Sequence, residues 1–179
     1  MRRTLIAGIA IVLVAGSWVA GNRALAQVNS NDNNIAVMDN CDASDPAWAT
    51  VGGCTLRKGS VTLSEFFNLL FSPNYANGTI PVGHPSWRNE PSYITTSTNR
   101  AVRVTNWGGR DHTFTEVANF GGGFVPLVNG ALVVAPECNP ATVSILSPGE
   151  TERINGLAPG THKFQCCIHP WMTAAIKVE

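Results

Sequence analysis

The C-terminal stretch reads His162-Lys163-Phe164-Gln165-Cys166-Cys167-Ile168-His169-Pro170-Trp171-Met172-Thr173, which sets Cys166, His169 and Met172 at successive spacings of three. His112 stands 54 residues before Cys166, between the turn-forming Gly108-Gly109-Arg110-Asp111 and the apolar Phe114. A thiolate, two imidazoles and one weak thioether are the donor set of a blue-copper electron-transfer site. The thiolate is the soft, charge-donating ligand. The imidazoles suit both copper oxidation states, and a long thioether contact tunes the potential. No Ser-His-Asp set, paired-carboxylate motif or phosphate loop accompanies these residues. A mononuclear site saturated by protein ligands also lacks the open position that a catalytic metal needs. The expectation is therefore a protein that is not an enzyme and has no small-molecule substrate.

The run Cys166-x-x-His169-Pro170-x-Met172, at the end of Ala158-Pro159-Gly160-Thr161-His162-Lys163-Phe164, resembles the copper loop of the cupredoxins. Its shortness is most similar to the amicyanin-like loop, with plastocyanin- and pseudoazurin-like loops close to it. The likeness spans roughly residues 92–179. It implies an all-β, Greek-key β-sandwich holding one type 1 copper ion that carries single electrons. By that resemblance His112, Cys166 and His169 become the equatorial ligands and Met172 the axial one. Thr113 stands where the family often has Asn, and its backbone N–H is expected to donate to the Cys166 sulfur, a contact that tunes the metal. The resemblance also gives Pro170 and Trp171 a place in an apolar patch around an exposed edge of His169, where redox proteins would dock weakly. Packing of Trp171 beneath an extra loop is the alternative.

Cys166 competes with Cys167 for the ligand role. The family pattern of two residues between Cys and His selects Cys166. Neighbouring side chains on extended backbone point to opposite faces, so both cannot serve one ion without distortion. Cys41 and Cys54 bracket a loop rich in Asp and Gly and are expected to close it as a disulfide. Cys138 and Cys167 then remain. They either pair, clamping the long Gly- and Pro-rich segment before Cys138 beside the metal site, or stay as two buried thiols.

These residues need a scaffold. Ile35–Met38, Tyr93–Ser97, Ala101–Asn106, His112–Ala118, Thr142–Leu146, Glu152–Ile154, His162–Cys166 and Thr173–Val178 read as short strands separated by Gly, Pro, Asn and Asp turns, a pattern that predicts an antiparallel sandwich. Residues 62–71 predict a short helix, with Thr62 and Glu65 spaced as a capping box and Leu63, Phe66, Phe67 and Leu70 on one face. The organisation expected is an extension over 27–91, carrying the disulfide loop and helix, packed on a copper-binding domain over 92–179. His84 lacks a partner motif and reads as structural. His162 is expected to alternate outward into solvent.

The chain has 179 residues, with 12 Lys+Arg against 12 Asp+Glu and charged residues at 13%. That balance excludes nucleic-acid binding by phosphate neutralisation. Met1-Arg2-Arg3, an apolar run from Leu5 to Ala20 and Ala24-Leu25-Ala26 predict a secretory signal peptide over 1–26. The arginine pair alone does not choose between export routes. Membrane attachment follows only where that segment is retained. Removing it takes away Arg2, Arg3 and Arg23 and no acid, leaving a net-acidic periplasmic or secreted protein in which disulfides persist. A copper storage or delivery module is the alternative function. Carriers of that kind use clusters of exposed Met or Cys, whereas this chain has three Met. A sandwich that has lost its copper is disfavoured by donors at all four positions.

Overall fold

The computed structural model describes residues 33–70 and 83–179. The expected signal segment, residues 27–32 and the end of the expected helix lie outside them. The described strands are β1 (Asn34–Met38), β2 (Arg88–Glu90), β3 (Tyr93–Thr96), β4 (Val102–Asn106), β5 (Thr115–Val117), β6 (Thr151–Ile154), β7 (Gly160–Gln165) and β8 (Thr173–Val178). They form two four-stranded sheets, in the orders β2-β1-β4-β6 and β3-β8-β7-β5. The β1–β4 and β3–β8 pairs are parallel, so the sheets are mixed, and every other pair is antiparallel.

Alternation decides which faces meet. Ile35 and Val37 on β1, Val102 and Val104 on β4, Phe164 on β7, and Ala174, Ile176 and Val178 on β8 are buried in one shared cluster. The molecule is the expected β-sandwich, its apolar faces turned inward at period two. Phe114 stacks on Phe164 with ring centroids 4.6 Å apart, just below the end of the core that carries Cys166.

Residues 33–70 and 83–91 do more than pack on this sandwich. β1 runs alongside β4 in register from Asn34↔Arg103 to Val37↔Asn106, and β2 pairs with β1. Two strands of one sheet therefore come from the segment read as an extension. The Cys41–Cys54 disulfide is present and encloses a 3-10 turn, Pro46–Val51. Asp45 caps that turn through Ala47 N–H (3.0 Å) and reaches Leu63 N–H (2.8 Å) with its other oxygen, joining the disulfide loop to the helix. That helix, α1 (Leu63–Leu70 among the described residues), buries Leu63, Phe66 and Leu70, and Thr62 Oγ accepts from Glu65 N–H at its start.

Three expectations change. The strand expected over Thr142–Leu146 is reduced to a single bridge between His112 and Leu146. Asn139 carries the reason: its carbonyl accepts from Thr142 and Val143 and its side chain from Ala141, a local turn that competes with the ladder. The strand expected from His112 begins only at Thr115, which leaves Thr113 outside it and His112 in the single bridge to Leu146. β2 was not foreseen, because Arg88-Asn89-Glu90 has no apolar alternation and pairs only because β1 is beside it.

The loop that delivers His112 hangs on Asn106. Its amide donates to the Arg110 and Leu146 carbonyls (2.7 and 2.8 Å), and its oxygen accepts from Gly108 N–H (2.8 Å), with the side chain fully buried. Asn106→Ala strands these buried groups, so it is expected to cost about 1–3 kcal/mol of stability, read as a lowered denaturation midpoint. An unchanged midpoint would show that water replaces the amide.

Candidate metal centre

β7 ends at Gln165 and β8 starts at Thr173, so Cys166 to Met172 form the connection between two antiparallel neighbours. The turn closes on itself: Cys166 N–H donates to the Met172 carbonyl and Met172 N–H to the His169 carbonyl, both at 2.9 Å. His112 enters from the loop after β4, held by its backbone exchange with Leu146. The result brings together Cys166 Sγ, His112 Nδ1 and His169 Nδ1. The sulfur lies 3.8 Å from each nitrogen, and all three atoms fall within 4.8 Å of one another. An ion bonded to sulfur at about 2.3 Å and to nitrogen at about 2.0 Å spans up to about 4.3 Å between them. One metal therefore fits the three donors. Met172 is buried in the same core cluster as Cys166, with its backbone bonded to Cys166 and His169.

Cys166 is the one free cysteine among the described residues, and it is buried. Thr113 N–H donates to its sulfur at 3.3 Å, the contact expected from the family resemblance, and His169 N–H donates a second at 3.4 Å. Burial pushes the thiol pKa up, but the hydrogen bonds and charges of His112 and His169 outweigh this and hold it well below its ordinary value. A thiolate, the metal-binding form, is thus favoured. Burial also opposes protonation of His112, yet Asp39 and Cys166 raise its pKa to about 9. For His169 burial dominates, and its pKa is lowered.

Thr113 has a further contact: its hydroxyl accepts from Cys167 N–H at 2.7 Å, a side-chain tie across the two ligand loops. Cys167 points away from the donors and is bonded to Cys138, in a separate small cluster with Val117 and Ala135. Of the two alternatives for these cysteines, the disulfide is the one present.

Pro170 and Trp171 do not form the exposed patch expected of them. Pro170 is buried and Trp171 half-buried. The Trp171 ring packs against Phe66 of α1 (centroids 6.1 Å apart) and His169 (5.6 Å). Gly83 lies so close over it that a Cβ there would sit 2.3 Å from the ring. His169 is only 4% exposed. Among the described residues it lines a cavity of about 250 Å³ together with Phe66, Phe67, Arg110, Leu127 and Ile168. The N-terminal helix covers the side that the sequence left open.

The other histidines stand apart from this centre. His84 is buried edge-on against Trp87 and lies 4.0 Å from Glu65. His162 does not simply face solvent, because it bonds Glu116 (2.6 Å) and the Ala158 carbonyl (2.8 Å). The Glu116 contact, followed by that carbonyl, raises the His162 pKa from its ordinary 6.5. Below 6.5 the ring is charged folded and unfolded, and the pair contributes fully. As pH rises through the elevated folded value, the proton and the contribution are lost. Glu116→Gln is therefore expected to lower stability in mildly acidic solution and leave it unchanged in alkaline solution. An equal loss at both extremes would contradict this.

Sequence reasoning missed Asp39, whose carboxylate bonds His112 Nε2 at 2.9 Å. It lies 73 residues from its partner, and no motif marks it.

No protein-family model and no curated protein matches the sequence. Solved structures similar to it include a novel purple cupredoxin from Nitrosopumilus maritimus, with 14% identity and a TM-score of 0.42, covering 82% of this chain and 98% of that one. An amicyanin variant in its reduced state is 18% identical with a TM-score of 0.35, covering 50% of this chain and 71% of that one. A copper-containing nitrite reductase from Thermus scotoductus SA-01 is 22% identical with a TM-score of 0.36. That match covers 52% of this chain and only 20% of the reductase. Among the described residues no helix is long and apolar enough to cross a membrane.

Proposed function

We propose that this chain is a periplasmic or secreted mononuclear type 1 copper protein that carries single electrons between redox proteins. The observation that carries the reading is the lone thiol: Cys166, wholly buried, 3.8 Å from two imidazole nitrogens that converge on it from different loops. In this reading His112, Cys166 and His169 would hold the ion, and Met172 would offer a weak thioether donor. Copper bound there would store and release one electron by alternating between Cu(II) and Cu(I).

The protein's own part is to keep that alternation from requiring movement. Two N–H groups hold the sulfur, and the Thr113 hydroxyl ties the two ligand loops. The covering Phe66 and Trp171 exclude water from His169. A softly held sulfur with fixed imidazoles leaves little to reorganise when the charge changes. Partner contact is assigned to the rim of the cavity beside His169, where Leu127 is half exposed. Small, weak encounters suit rapid turnover. The signal-peptide pattern and two disulfides support export.

The test is to load the protein with Cu(II) and record visible and electron paramagnetic resonance spectra. An intense thiolate-to-copper charge-transfer band is expected, and a folded, copper-loaded protein without it overturns the reading. Voltammetry separates the alternative: a carrier cycles reversibly with its copper retained, whereas a storage or delivery module yields copper to a mild chelator.

A further inference from the structure

Asp39 follows β1, and its side chain has no exposure to solvent. A carboxylate in that position is tolerated only where its oxygens are met by donors. Here each oxygen has two. Oδ1 accepts from Cys41 N–H (3.3 Å) and Gly109 N–H (3.0 Å), and Oδ2 from Arg110 N–H (3.0 Å) and His112 Nε2 (2.9 Å).

The surroundings are built to the carboxylate. A Cβ at Gly108 would lie 2.1 Å from Oδ2, so only glycine leaves room for it, and one at Gly109 would meet the Cys41 sulfur at 2.8 Å. The Cys41–Cys54 disulfide anchors the chain two residues beyond Asp39. The neighbouring cation does not take this charge. The Arg110 guanidinium turns away, donating to the Gly53 and Val51 carbonyls and lying over Trp48. His112 is thus the side chain that receives the buried anion. The contact occupies Nε2 of the imidazole whose Nδ1 faces the Cys166 sulfur.

We propose that Asp39 is a positioning residue for the metal centre: it holds the His112 ring with Nε2 protonated and Nδ1 free for the metal, and its charge favours Cu(II) over Cu(I), lowering the reduction potential. An anion one imidazole away from the ion stabilises the higher metal charge more than the lower. A carboxylate on the far nitrogen also makes the ligand more basic. The inference rests on the copper reading above. It also gives residues 27–91 a task at the centre, since β1 and the disulfide loop carry the anion to it.

Two measurements test it, taken after the wild-type visible band has decided the copper reading by itself. The first is the reduction potential of Asp39→Asn, which keeps an acceptor and removes the charge. The oxidised-to-reduced equilibrium is expected to move about tenfold toward Cu(I), a rise of about 59 mV for one electron. A folded, coloured variant with an unchanged or lower potential overturns the charge effect. The second is nitrogen-15 NMR of the diamagnetic Cu(I) wild type, where His112 Nε2 is expected to carry a slowly exchanging, downfield proton. A Nε2 without a proton, or one exchanging freely with water, overturns the proposal whether or not the variant folds.

Discussion

Cys166→Ala abolishes the thiolate-to-copper absorption, and Cys167→Ala leaves it: this is the expected result with the largest effect. The two thiols are consecutive in sequence but have opposite roles. Extended backbone sends neighbouring side chains to opposite faces. Cys166 Sγ lies between the imidazoles, and Cys167 lies on the far side, bonded to Cys138. Removing Cys166 leaves two nitrogens, a weak thioether and no soft anion. Copper affinity should fall by more than the roughly 10–100-fold that follows loss of an outer-shell partner. The visible and paramagnetic resonance spectra of copper-loaded variants decide it. Colour that survives Cys166→Ala and disappears with Cys167→Ala would assign the site to the wrong sulfur.

Replacing both Cys138 and Cys167 by Ala should cost stability without costing the colour. Their bond joins positions 29 apart in sequence, and loop-closure entropy for a ring of that size corresponds to roughly 3–4 kcal/mol. For a domain of this length, that lowers the melting temperature by roughly 10 °C. The colour should persist because the segment after β5 has other ties to the metal loop. Phe124 N–H donates to the Cys167 carbonyl at 2.8 Å, and Gln165 bonds Gly121 in both directions. Thermal denaturation of the double variant beside the wild type, followed in the visible and the ultraviolet, measures both. A bleached double variant would show that the disulfide also sets the ligand geometry.

Burial also changes how an electron would reach a partner. Among the described residues Phe66 and Trp171 pack against His169, and His169 lines the cavity beside Leu127, while Pro170 is buried. The same covering protects the centre from water, and it comes from a helix that sequence periodicity assigns to packing. Packing and function coincide at Phe66.

What the sequence alone determined is what local chemistry and period can express. A thiolate, an imidazole and a thioether spaced by three in one short loop describe most of a donor set without reference to the rest of the chain. Alternating apolar residues on β1, β4 and β8 place the core, because period two is a property of extended backbone itself. The capping pattern starts α1 for the same reason, since its partners are three residues apart. Tertiary structure decided the rest. Thr142–Leu146 has strand-like residues but yields to the turn at Asn139, whereas Arg88–Glu90 lacks them and pairs because β1 is at hand. Trp171 is covered by a helix about a hundred residues earlier in the chain. Asp39 meets His112 across 73 residues. Hydrogen bonds and burial depend on distance in space. Once the chain has folded back on itself, that distance is set by which strands pair and no longer by position along the sequence.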